Sequence, residues 1–290
     1  MASVKELRLR INSVGNIQQI TRAMEMVATT KLRRFQDRAV ASRPYTEEIA
    51  GLVSHLAGVL GEDVAENPLF QEGVGDKTAV LLVSSDRGLC GAYNSNLFAS
   101  LEGWLKERDE SKVDFFVYGK KAYSYLNSRG LNVERFLVEP PLESVDFGNA
   151  ARTAQTLVDA FTGGDYDSVH VYYTAFQSMV RYDPTAFQLL PLKADAAEGE
   201  EAQSGGDLIL EPDAETIFES LIPRYLEVRV YNALLEALTS EYASRRMSMK
   251  NATDAATDMI KMLKGQYNRL RQENITKDLL DIVGGAEALR

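Results

Sequence analysis

The sequence predicts a protein of class α/β plus long α: two long helices from opposite ends of the chain pair as an antiparallel coiled coil, and a three-layer α/β domain sits between them in sequence. Three observations carry that expectation. Residues 228–270 hold an unbroken heptad, residues 4–35 hold a second apolar stripe at helical spacing, and residues 78–190 alternate β-rich apolar runs with amphipathic segments. Apolar repeats near 3.5 residues mark helices, while short β-rich runs alternating with them mark βαβ units.

The first segment, 1–60, is expected to be one helix over about residues 3–58. Val4, Leu7, Ile11, Val14, Ile17, Ile20, Met24, Val27, Leu32 and Phe35 form its stripe. The phase slips near Val14 to Ile17, where two three-residue steps fall together, so a locally irregular supercoil is expected there. Helix formers continue through Glu47, Glu48, Ile49, Leu52, Leu56 and Leu60, with Pro44 as the expected kink or break.

In the second segment, 75–193, strands are expected at Thr78–Ser85, Asp114–Tyr118, Val133–Val138, Ser168–Ala175 and Thr185–Leu190. Helices are expected at Leu97–Glu107, Lys120–Ser128 and Asn149–Phe161. This alternation gives a small Rossmann-like α/β domain. The stretch 194–209 begins ADAAEGEEAQSGGD, acidic and glycine-bearing, and is read as a mobile surface loop.

The last segment, 213–290, carries Val228, Tyr231, Leu235, Leu238, Tyr242, Arg245, Met249, Ala252, Ala256, Met259, Leu263, Gln266 and Leu270 at alternating steps of three and four. Such a seam packs one helix along another, and over residues 228–270 it makes a rod of roughly 63 Å. Two helices of an ordinary bundle would show similar stripes; length and terminal placement favour the antiparallel pair. If the last helix begins near Asp213, its match to the N-terminus falls near residue 268. About twenty residues, roughly 30 Å, then run on alone. They include Ile275, Leu279, Leu280, Ile282, Val283, Ala286, Ala288 and Leu289. So much apolar surface requires either a surrounding partner or a fold back onto the body.

Composition bounds the function. The chain has 290 residues, 45% of them apolar, and a formal net charge of −10. No apolar run reaches the length of a membrane span, and the N-terminus lacks a signal-peptide profile. A single cysteine, Cys90, excludes an internal disulfide and fits a reducing compartment. Charge is uneven: residues 1–43 carry +6, residues 241–290 carry +2, and residues 44–240 carry −18. A basic helix end suits an acidic partner surface, or is simply a solvated face. Nucleic acid is a rival partner for Lys31, Arg33, Arg34, Arg38 and Arg43, but overall acidity repels a polyanion and no nucleic-acid motif is present.

One loop, Ser84 to Asn94 (SSDRGLCGAYN), has chemical character. It follows the first strand, where α/β folds place ligands, and a nucleotide-handling enzyme would use it. It lacks the lysine and Ser/Thr of a phosphate loop, and its glycines do not match a dinucleotide fingerprint. Gly88 and Gly91 suit a tight turn, while Asp86 and Arg87 suit pairing with each other or capping the next helix. Cys90 has no local base, since His55 falls on the first helix and His170 within a strand. It is read as a buried structural thiol. No Cys/His cluster of zinc type or acidic calcium loop occurs. No catalytic, cofactor-binding or metal-binding residue is therefore assigned.

Ala23-Met24-Glu25-Met26-Val27-Ala28, Ser42-Arg43-Pro44-Tyr45, Ser85-Asp86-Arg87-Gly88-Leu89-Cys90-Gly91, and the series Ile275, Thr276, Leu279, Ile282, Val283, Gly285, Ala286 resemble the γ-subunit family of F-type ATP synthases. The resemblance runs from near Met1 to Leu289. It implies a central stalk: a rotor that couples ion-driven turning of a c-subunit ring to conformational change in the catalytic β subunits. The coiled coil would stand inside a hexamer of α and β subunits, with the α/β body against the ε subunit and the c-ring. No cofactor, no nucleic-acid partner and no homo-oligomer are implied, and catalysis would belong to β. Carried onto this sequence, Arg22, Met24, Lys31, Arg271 and Gln272 would contact β. Ile275, Leu279, Ile282, Val283 and Ala286 would fill the hexamer's apolar sleeve. The lone Cys90 leaves out the chloroplast members' cysteine pair, and the start at the first helix differs from mitochondrial members. A bacterial protein held peripherally at the cytoplasmic face of the inner membrane is expected.

Overall fold

A computed structural model describes residues 3–137, 140–192, 211 and 213–287. The expected acidic loop at 194–209 lies outside the described residues, as do Val138, Ala288 and Leu289. The chain forms two compact units, Met1–Thr29 with Arg245–Arg290, and Thr30–Ser244. Two long helices, α1 (Val4–Leu60) and α5 (Ala214–Glu287), contribute to both.

The larger unit is built on a five-stranded sheet. Its strands are β1 (Lys77–Val83), β2 (Val113–Tyr118), β3 (Val133–Leu137), β4 (Tyr166–Phe176) and β5 (Tyr182–Leu190), ordered β3-β2-β1-β4-β5. The connecting helices are α2 (Tyr93–Leu105), α3 (Lys120–Arg129) and α4 (Phe147–Thr162). Strands β1 to β4 pair in parallel, whereas β5 runs antiparallel to β4. Residues 177–181 between β4 and β5 are too few for a crossover helix, so the last pair closes as a hairpin.

Alternation along the strands sorts side chains to two faces. Val80, Leu82, Phe115 and Val117 pack with Leu97, Leu101 and Leu105 of α2 and with Ala122 and Leu126 of α3. On the opposite face the Tyr118 hydroxyl meets Thr153 of α4 at 3.1 Å. Helices on both faces explain why Ala79–Val83 of β1 and Phe115–Tyr118 of β2 read as apolar runs rather than as an alternation.

Within the same unit α1 and α5 run side by side. Phe35 packs on Tyr242 with ring centroids 5.5 Å apart, and Arg38 donates to the Tyr231 hydroxyl at 3.1 Å. The expected break at Pro44 does not occur. Asn232 of α5 holds both sides of the proline: its Oδ1 accepts from Ser42 at 3.2 Å, and its Nδ2 donates to Thr46 at 2.9 Å. Below it Ile49, Val53 and Leu56 are buried, so the lost backbone bond at Pro44 is offset by tertiary contact. Asp213 caps α5, accepting the Thr216 N–H at 2.9 Å, which sets the start where the sequence places it.

In the smaller unit the two helices are antiparallel. Gln18 donates to Thr257 at 2.7 Å, and the Thr21 and Thr253 hydroxyls meet at 2.9 Å, so one chain ascends as the other descends. The seam differs from the apolar stripes. On α1 the residues turned inward are Leu7, Ile11, Val14, Gln18, Thr21, Glu25 and Ala28, an unbroken heptad. Ile17, Ile20, Met24 and Val27 are exposed instead. The expected irregularity is thus absent, because hydrogen-bonded polar side chains keep the register that the apolar residues abandon. On α5 the seam likewise takes Ile260 and Tyr267 in place of Met259 and Gln266.

Candidate contact surface

The end of α5 is a continuous exposed apolar stretch. Leu263 is buried and Leu270 half-buried, but every residue from Arg271 to Val283 is exposed. Among them Ile275, Leu279, Leu280, Ile282 and Val283 show between 49% and 68% of their surface, although they lie within one continuous helix. An isolated helix has no intrinsic means to cover such side chains. Arg271 and Gln272 stand at the start of this stretch, both exposed. The side chain of Ala286 lies outside the described residues.

A second apolar line runs along α1. Ile17, Ile20, Met24 and Val27, spaced by three and four, turn away from the seam, with Arg22 exposed beside them. Sequence reasoning assigned these side chains to the coiled-coil seam and so missed an outward surface. The signal was present, since Gln18, Thr21 and Glu25 complete the heptad from Leu7 to Ala28 without a slip. Lys31, which belongs to the larger unit, is half-buried, pairs with Glu143 and stands 5.6 Å over the Tyr242 ring.

The Ser84–Asn94 loop is a fastening in the larger unit. Asn94 accepts the Ser85 N–H at 3.2 Å and donates to the Ser85 hydroxyl at 2.8 Å, while that hydroxyl donates to the Arg87 carbonyl at 2.8 Å. The Cys90 side chain is buried and in no disulfide, and its carbonyl accepts from Ser244 at 2.6 Å. Leu89 takes a φ of +63° while its side chain stays exposed. Asp86 does not cap α2, the next helix. Its Oδ1 accepts the Lys120 N–H at 3.1 Å, at the start of α3.

Beside the loop is a cavity of about 780 Å³ at the carboxyl ends of the parallel strands. Asp86, Arg87, Lys120, Pro141, Asn149 and Arg152 line it. These residues come from separate loops and two helix starts, so no spacing in the sequence announces them. Among the described residues no group of histidine, cysteine and carboxylate side chains could hold a metal ion. Nor is any helix among them long and apolar enough to cross a membrane.

Away from the cavity, β4 and α5 share a half-buried acid. Burial pushes the Glu236 carboxyl above its ordinary value, opposed by hydrogen bonds from Tyr173 and the Phe176 N–H and by the charge of Arg43. Burial, and then the Glu236 charge, push the Tyr173 phenol far up as well.

Comparison with known proteins agrees with this architecture. Residues 3–289 match the family model described as ATP synthase. The ATP synthase gamma chain of Mycobacterium tuberculosis is 42% identical over 99% of this chain and 98% of its own length. That of Cytophaga hutchinsonii is 39% identical over 100% and 99%. Among solved structures, a central stalk/c-ring chain of the Tetrahymena thermophila mitochondrial ATP synthase superposes with a TM-score of 0.61 at 26% identity. It covers 80% of this chain and 99% of its own length.

Proposed function

This chain belongs to the ATP synthase gamma-chain family, and from that premise we propose that it is the central rotor shaft of an F-type ATP synthase. It transmits the turning of a c-subunit ring to β subunits that make or hydrolyse ATP. The observation that carries the reading is the exposed apolar end of α5, residues 271–283. A shaft end turning in an apolar sleeve needs an apolar surface without hydrogen bonds that lock one angle. Segments 1–60 and 213–290 serve as the shaft, inside a hexamer of α and β subunits. Segment 75–193 serves as the body that meets ε and the c-ring, and 194–209 as a surface loop.

Ile275, Leu279, Ile282, Val283 and Ala286 fill the sleeve in this reading. Arg271 and Gln272 reach β loops at the sleeve's entrance, where an arginine forms paired bonds to carboxylates in only some rotary positions. Arg22 and Met24 face β along the outer line of α1, and Lys31 joins them only when it exchanges its pairing with Glu143. The chain itself is non-catalytic, and nucleotide chemistry belongs to β. It is held at the cytoplasmic face of the cell's inner membrane through its partners rather than by a span of its own.

The test is to purify the tagged chain from its own cell and measure subunit stoichiometry and ATPase activity. A single copy with α and β in equal number is expected, and the activity should be lost when the α5 end and the N-terminal helix are both removed. Recovery as a lone monomer, or as a homo-oligomer that hydrolyses ATP unaided, sinks the reading.

A further inference from the structure

We propose that the cavity at the carboxyl ends of the strands is a binding site for a chain of phosphoryl groups, either free as pyrophosphate or as the tail of a nucleoside triphosphate. The rotor reading assigns this cavity no role of its own, and the inference goes beyond that function. Its volume of about 780 Å³ falls in the range of small-molecule sites.

The charge of the lining decides the ligand class. Arg87 follows β1, Lys120 opens α3, and Arg152 stands in the second turn of α4. All three are exposed, and none has an ion pair among the described residues. Three cations from three elements converge on one concavity. The single lining carboxylate, Asp86, is already engaged by the Lys120 N–H. The starts of α3 and α4 are already capped by Asp86 and Asp146, so the attraction comes from the three cationic side chains.

Asn149 supplies an independent observation. It is 8% exposed yet lines the cavity. Its Oδ1 accepts from the Arg152 guanidinium, which fixes the orientation of the amide. Its Nδ2 then has no acceptor among the described residues. Among the described buried side-chain atoms only Thr174 Oγ1 lacks a partner, so the Asn149 Nδ2 opens into the cavity, where it is placed to donate to an anion beside three cations. Arg87, Lys120, Arg152 and Asn149 are distributed round a lining of this volume, which matches the spread charge of two or three linked phosphoryl groups.

The test is calorimetric titration of the full chain with pyrophosphate and, separately, with ATP. Saturable binding with Kd below about 1 mM for both at similar strength supports the site and assigns recognition to the phosphates. Tighter binding of ATP supports it with a nucleoside contribution. The double variant R87Q/R152Q, and separately K120Q, should each weaken binding by at least about tenfold. R33Q/R34Q, which removes equal charge from exposed positions on α1, should leave it unchanged. Absence of saturable binding to either ligand overturns the proposal. So does binding that survives R87Q/R152Q, or that falls equally in R33Q/R34Q, since attraction would then be diffuse.

Discussion

At Gly119 the backbone takes a φ of +98°, and a Cβ built there would stand 2.2 Å from the Ser84 carbonyl oxygen. The close approach lets the Ser84 hydroxyl accept the Ala122 N–H at 2.8 Å, fastening the start of α3 to the end of β1. Gly119→Ala combines a disfavoured φ with a clash against backbone, and should destabilise the chain by about 2–5 kcal/mol. Urea unfolding checks this; a loss below about 0.5 kcal/mol would refute it. Glu236 makes a different kind of prediction. Because burial raises its pKa in the folded state, the native chain binds a proton more readily there than the unfolded chain does. Stability therefore falls as pH rises from near 4.5 through the folded value, and is level above it. Glu236→Gln keeps an acceptor for Tyr173 and removes the titration. The difference in urea midpoint between variant and wild type should grow in the variant's favour from pH 4 upward. A difference independent of pH would show that the carboxyl is not responsible.

Among the elements, α5 divides sharply at residue 271. Before it, buried or half-buried side chains recur at every turn; after it, none does through Val283. Removing residues 272–290 should therefore leave the isolated chain's stability within about 0.5 kcal/mol of wild type, measured by thermal unfolding, while assembly with partners fails. A larger loss would mean that the end packs on its own chain. This boundary was legible in the sequence, because it follows from helix length and from where the N-terminal helix ends. The strands were legible too, since β1 from Ala79 to Val83 and β2 from Phe115 to Tyr118 are short apolar runs. The antiparallel sense of β5 was not, as its residues read the same in either direction and only the five-residue connection decides. The seam was misread wherever polar residues occupy it. Thr21 and Thr253 satisfy each other across the interface, and no apolar count finds such a pair. The cationic cavity was invisible for a related reason: Arg87, Lys120 and Arg152 meet only after three strands have been laid side by side.

For the whole molecule, the rotor reading sets an energy scale. Driving a site from 1:99 to 99:1 requires about 5.5 kcal/mol of discrimination between its states, whereas an exposed ion pair contributes at most about 1 kcal/mol. The push must be spread along the apolar faces of α1 and α5. Arg271→Ala should thus retain more than about a tenth of coupled ATP synthesis at normal assembly; a greater loss would concentrate the coupling in one contact. A different consequence follows from the bond between Thr21 and Thr253, whose partners are 232 positions apart. The first helix leaves the ribosome long before its mate exists. At about 5–20 residues per second, its inward face waits roughly 10–50 s for the last codons to be read. During that interval the nascent chain presents Leu7, Ile11, Val14 and Ala28 with nothing to cover them. Synthesis of this protein therefore leaves that face open to shielding at the ribosome, and slow translation of its closing third would lengthen the exposure.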